Sequence, residues 1–218
     1  MHQLKTTVIA LAALAALAGS AGATIITSHL SSDAQLLALL SDTLFVAEGR
    51  IGDGSGAATF EIDLGASTSA PDVTAQYPWP NGTAVPWTLT YNGTTNLVTF
   101  TVNGVALQYT TPLSGFTEIF VRTRATNAGT DIVVNNLTFE SEAVGDVSQA
   151  LGAGGLDILW IHGGSVSDGF TMTGQTTMTW TGAMPSQSQL AFQIKVGWSF
   201  TVYTGDVSWG RLKQMFND

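Results

Sequence analysis

Residues 86–111 hold three short runs, Trp87-Thr88-Leu89-Thr90-Tyr91, Leu97-Val98-Thr99-Phe100-Thr101-Val102 and Val105-Ala106-Leu107-Gln108-Tyr109. Residues 92–96 separate the first two, and Asn103-Gly104 separates the last two. Side chains two apart lie on the same face of a strand, and Asn-Gly tolerates the positive φ angles of a type I′ turn. The spacing predicts a three-strand antiparallel meander. In its middle run Val98, Phe100 and Val102 share one face, while Leu97, Thr99, Thr101 and Asn103 share the other. One side is therefore expected to be buried and the other wetted.

The same punctuation extends over most of the chain. Alternating runs at 43–47, 59–64, 118–123, 131–137, 156–162, 170–181 and 189–196 are separated by glycine-, serine- and asparagine-rich turns. The pattern predicts an all-β fold, an antiparallel β-sandwich of the jelly-roll or Greek-key kind. One short N-terminal helix is expected over 29–42, capped by Ser31, Ser32 or Asp33, with leucines at 36, 37, 39 and 40, lying across one end of the sandwich. Four segments follow: a leader at 1–23, a helical segment at 24–42, the sandwich at 43–197 and a C-terminal extension at 198–218. No internal repeat is visible, which argues against a propeller or solenoid.

The leader reads as a signal peptide. Lys5 precedes an apolar run of about eleven residues, too short for a permanent span of roughly 30 Å. Ala21-Gly22-Ala23 then places small residues where a signal peptidase needs them, so Ala21 and Ala23 mark cleavage before Thr24. The expected location is secreted or cell surface, with the membrane met only transiently through the leader. Loss of Lys5 leaves six basic residues against sixteen acidic ones. Such a charge repels phosphate backbones and argues against nucleic-acid partners. Cysteine is absent, which excludes disulfides, thiolate zinc sites and cysteine nucleophiles.

Few residues suggest chemistry. Glu61 and Asp63, two apart on a predicted strand, resemble the start of the Glu-x-Asp-x-Glu strand of a retaining glucanase family. That resemblance assigns Glu61 as nucleophile and Asp63 as its orienting partner. Gly65 stands where the general acid is required, and without a proton donor the leaving group departs slowly. The plainer reading makes the pair two acids on the solvent face of an amphipathic strand. Trp79, between Pro78 and Pro80, is either a loop-presented stacking platform for sugars or an indole capping the edge of the core. His162-Gly163-Gly164 lacks a nucleophile elbow to serve, and reads as a strand end before a turn. With His29 it makes only two histidines after cleavage, too few for a three-histidine zinc site. Asp53-Gly54-Ser55-Gly56 lacks the alternating oxygen ligands of a calcium loop and reads as a turn. No cofactor is expected; calcium held by residues distant in sequence, among them Asp131, Asn135, Asp146 or Asp157, is left open. The Asn-x-Ser/Thr triplets at Asn81, Asn92 and Asn136 read as turns. Arg50 and Lys195 are expected to pair with surface acids.

The segments Phe45-Val46-Ala47-Glu48-Gly49-Arg50-Ile51-Gly52, Phe60-Glu61-Ile62-Asp63-Leu64-Gly65, Val121-Arg122-Thr123-Arg124-Ala125, Val133-Val134-Asn135-Asn136-Leu137, Gly155-Leu156-Asp157-Ile158-Leu159 and 188–197 occur in an order that resembles the bacterial choice-of-anchor domains, most nearly the W type. The resemblance covers about 43–197. It implies display at the bacterial surface and supplies no catalytic residues, and residues 198–218 lack the sorting motif such domains carry. The leading expectation is a non-enzymatic exported β-sandwich of the cell surface or extracellular matrix, serving adhesion or binding to extracellular glycans or surface proteins. The alternative is a glycan-binding or polysaccharide-active jelly roll using Glu61, Asp63 and Trp79. A third expectation is self-association through weakly charged edge strands such as 97–102.

Overall fold

The computed structural model describes residues 25–52, 60–163 and 169–199. The expected leader with Ala21 and Ala23, the turn expected at Asp53-Gly54-Ser55-Gly56 and residues 200–218 lie outside the described residues. In chain order the elements are β1 (Ile26–Leu30), α1 (Asp33–Leu39), β2 (Leu40–Ile51), β3 (Phe60–Gly65), β4 (Val73–Ala75), β5 (Ala84–Asn92), β6 (Leu97–Val102), β7 (Val105–Thr110), β8 (Glu118–Ala125), β9 (Thr130–Phe139), β10 (Glu142–Ala143), β11 (Ser148–Leu151), β12 (Gly155–His162), β13 (Gly169–Trp180) and β14 (Leu190–Ser199).

Two antiparallel sheets pack face to face as a sandwich. The first has the order β1-β12-β8-β14-β2-β3-β4; the second runs β10-β9-β13-β5-β6-β7, with β11 also paired to β9. The predicted meander forms β5, β6 and β7, and Asn103 and Gly104 turn it with φ of 44° and 91°. From β7 onward the chain crosses repeatedly between the sheets, so neighbours in space are often distant in sequence.

The inner faces meet in one aromatic-rich core. At one end Phe45, Tyr91, Phe116, Phe139 and Phe170 gather, with Phe116 and Phe170 centroids 5.0 Å apart. At the other, Tyr77, Trp79, Trp87, Phe100 and Phe192 interlock, Trp79 meeting Phe192 edge-on at 5.7 Å. Glycines make room for the indoles: a methyl on Gly49 would enter the rings of Trp79 and Phe192, and one on Gly174 would enter Trp87. The Trp87 indole N–H donates to Thr176 Oγ1 at 3.0 Å, so its burial leaves no polar orphan there.

The helix differs from expectation in length and place. It spans only Asp33–Leu39, because His29 and Leu30 pair with Leu159 and Ile158 in β12, and Leu40 is already extended. The leucine spacing is locally helical, but sheet pairing on both flanks overrides it. Instead of lying across an end, α1 covers the outer face of the first sheet, where Leu36 and Leu40 form a small second core with Phe120 and Ile158. The proposed edge at 97–102 also needs correction. It is β6, hydrogen-bonded on both sides, and the edge is β7.

Candidate functional site

Strand register builds a charged patch on the outer face of the first sheet. Arg122 of β8 stands opposite Gln193 of β14, Gln193 opposite Glu48 of β2, and Glu48 opposite Asp63 of β3. One row along, Arg124, Ala191, Arg50 and Glu61 follow in the same way. Each strand contributes polar residues two apart, and antiparallel pairing brings them side by side.

Arg50 is the hub at the β3 end. Its Nε and Nη2 donate to Glu61 Oε2 at 3.0 and 2.7 Å, Nη2 lies 2.9 Å from Asp63 Oδ2, and Nη1 lies 3.6 Å from Glu48 Oε2. Gln193 donates to the other oxygen of Glu48 at 2.8 Å. Glu48 and Asp63 are 3% and 2% exposed, so these acids are interior groups on an outer face. Burial raises the Glu48 pKa against the opposing pull of Gln193 and Arg50. Burial also pushes Asp63 up to about 7; Arg50 opposes this, while Glu61 and Glu48 add to it. Among the described residues neither Asp63 oxygen accepts a hydrogen bond.

The chain between β3 and β4 overhangs this cluster. Asp72 ties its ends together, its N–H donating to the Leu64 carbonyl and its Oδ2 accepting from the Ala66 N–H at 2.9 Å. Gly65 must lack a side chain because Asp72 fills the space a Cβ would take.

Beyond Gln193 lies a second grouping. Arg122 donates through Nε and Nη2 to the two oxygens of Asp33 at 2.6 and 2.8 Å, anchoring α1 and holding the Asp33 carboxyl below its usual range. Lys195 is half-buried, and burial with repulsion from Arg122 lowers its pKa. Arg124 is exposed. Neither Lys195 nor Arg124 makes an ion pair among the described residues. Two adjoining hollows of about 160 and 300 Å³ share Thr68, Arg122, Arg124 and Gln193.

The candidates named from sequence fall on different sides of the molecule. Glu61 and Asp63 do share a face, but they are clasped around Arg50 rather than spread on a solvent-facing strand. Trp79 is 2% exposed in the core between the sheets, with its N–H 3.4 Å from the Glu61 carbonyl, so it caps the core and offers no ring face to a sugar. Its side chain and those of Glu61 and Asp63 therefore do not form one groove. Arg50 does pair with acids, but with largely buried ones rather than surface ones, and Lys195 makes no ion pair among the described residues. His162 ends β12 and stacks on Trp160. Asn81 and Asn92 sit at turns, where Asn81 exchanges hydrogen bonds with the Trp180 backbone. Asn136 instead lies within β9, at φ 50°, beside a register shift. No group of three or more metal-ligating side chains is found among the described residues. The residues that sequence reasoning missed, Glu48, Arg122, Arg124 and Gln193, carried one signal, polar side chains two apart inside apolar strands.

Fold and site together define an antiparallel β-sandwich with a charge cluster enclosed against the outer face of one sheet. Compared with known proteins, the chain matches no family model and no curated protein.

Proposed function

We propose that the chain is a non-enzymatic exported β-sandwich of the bacterial surface or extracellular matrix, acting by binding in the manner of an adhesion module. The observation that carries this reading is how the most enzyme-like carboxylates are used. Glu61, Asp63 and Glu48 are spent on holding Arg50, with exposures of 3% for Glu48 and 2% for Asp63. A nucleophile and an acid need access to a glycosidic bond, and these groups are turned to an internal task. The secretory leader and the resemblance to choice-of-anchor domains support export and display. Among the described residues no helix is long and apolar enough to cross a membrane.

The test is fractionation of the producing bacterium with N-terminal sequencing of the product, followed by a polysaccharide hydrolysis assay on the purified protein. Recovery at the surface or in the medium with Thr24 as first residue, and no hydrolysis, is expected. A cytosolic protein with its leader intact overturns the reading. Hydrolysis abolished by Glu61→Gln overturns it in favour of the polysaccharide-active alternative.

A further inference from the structure

The chain holds seven basic residues in 218 and a formal charge of −9. Four of the seven lie among the described residues, and all four, Arg50, Arg122, Arg124 and Lys195, line the two adjoining hollows on the outer face of the first sheet. In so acidic a protein, scattered cations would be expected to seek separate carboxylates. Gathering them costs mutual repulsion: burial first, and Arg122 after it, lower the pKa of Lys195 against the opposing pull of Glu48 and Asp33.

The four are not equivalent. Arg50 is satisfied by Glu61 and Asp63, and Arg122 by Asp33. Arg124 and Lys195 have no such partner among the described residues, yet both face the larger hollow. Around them stand groups of another kind. Thr68, Ser69, Ser188 and Gln193 present hydroxyls and an amide, and Leu37, 73% exposed, offers an apolar surface at the helix side of the hollow.

We infer that this patch is a binding site for a carboxylate-bearing polysaccharide, a polyuronate chain, with Arg124 and Lys195 engaging the carboxylates. The chemistry of the lining matches such a ligand in three respects. A planar guanidinium and an ammonium pair with carboxylates, Arg in a fork geometry. The hydroxyl and amide groups suit sugar hydroxyls, and Leu37 suits the C–H face of a sugar ring. The overall negative charge selects further, since a densely charged polyphosphate is repelled by the molecule as a whole, while a chain with one carboxylate per sugar is repelled less. The inference deepens the proposed binding role and rests on it for the setting in which such a polymer is met.

The experiment measures binding of the purified chain to polygalacturonate, to the same polymer with its carboxylates methyl-esterified, and to inorganic phosphate, by calorimetry at low and raised salt. Binding to polygalacturonate that weakens with salt, with none to the esterified polymer, is expected. Arg124→Gln and Lys195→Gln should each weaken it by about tenfold, the worth of one charge-assisted hydrogen bond. Gln108→Ala on the second sheet should leave it unchanged. Arg124 is exposed, so its replacement keeps the fold, and matching thermal melts verify this. Equal binding by Arg124→Gln and the native chain, or binding of the esterified polymer as strong as that of the acid, overturns the inference. So does phosphate alone bound with no polyuronate. A protein found at the surface that ignores polygalacturonate sinks the ligand and leaves the adhesion reading standing. A cytosolic protein that binds it does the reverse.

Discussion

Arg50 and its three carboxylates make the clearest case for interactions that one residue holds in place. Removing the guanidinium while leaving Glu48 and Asp63 buried strands their charges, and breaking a buried pair in this way costs about 3–5 kcal/mol. Arg50→Met is therefore expected to destabilise the chain by about that amount near pH 8, and by less in acid, where Asp63 and Glu48 take up protons. Denaturant unfolding at the two pH values checks it. Asp63 supplies the converse. Its folded pKa of about 7 lies well above the ordinary aspartate value, so the folded state favours the protonated form. That preference supports folding in full below the unfolded value, and the support is lost as pH rises through 7. Asp63→Asn mimics the neutral carboxyl permanently. Its melting temperature should exceed that of the native chain by a margin that grows between about pH 4 and pH 7 and then levels off; a margin independent of pH would refute the assignment. The sequence showed that Glu61 and Asp63 share a face, since spacing alone decides that. It could not show that the face is covered, because the loop carrying Thr68 and Ser69 reads as an unremarkable linker.

Among the described elements, β1 is attached in part through a titratable histidine. Five residue pairs join it to β12, and its side chains reach further: Thr27 donates to Asp146 at 3.0 Å, and His29 meets Asp157 at 2.8 Å and Asp146 at 3.3 Å. Burial disfavours the histidine charge, but hydrogen bonds to the two aspartates outweigh it and raise the His29 pKa above 6.5. A raised histidine stabilises fully below 6.5 and loses that contribution as pH climbs past the folded value. Amide exchange in β1, corrected for intrinsic rates, should accelerate relative to β6 across that window, and His29→Gln should abolish the difference; an unchanged pH response in the variant would count against the clamp. This strand was hidden in the sequence. His29 and Leu30 precede a leucine-rich run with helical spacing, and only the partner strand more than a hundred residues later makes them extended. By contrast β6 coincides with its predicted run, because the Asn-Gly turn beside it is encoded locally.

For the whole molecule the open question is how its sheet edges meet neighbours. Among the described residues β7 has one hydrogen-bonded partner and no charge, an invitation to pair with a second copy. The short β4 of the other sheet lies close to β7, which is expected to hinder such pairing. The purified chain is expected to elute as a monomer at every concentration in size-exclusion chromatography. A shift to larger species that Gln108→Lys abolishes would instead identify β7 as an assembly edge. The outer faces of the two sheets also diverge. Rows such as Thr101, Thr88, Thr173 and Thr138 cross the second sheet, while the cations among the described residues collect on the first. Alternation along the chain determined by itself that this is a β protein and which residues share a side, because the pleat repeats every two residues whatever the surroundings. Which strands adjoin was decided only in three dimensions. Period two assigns a face and never a neighbour, so the meeting of Arg122, Gln193, Glu48 and Asp63 from four separate strands had no local signature.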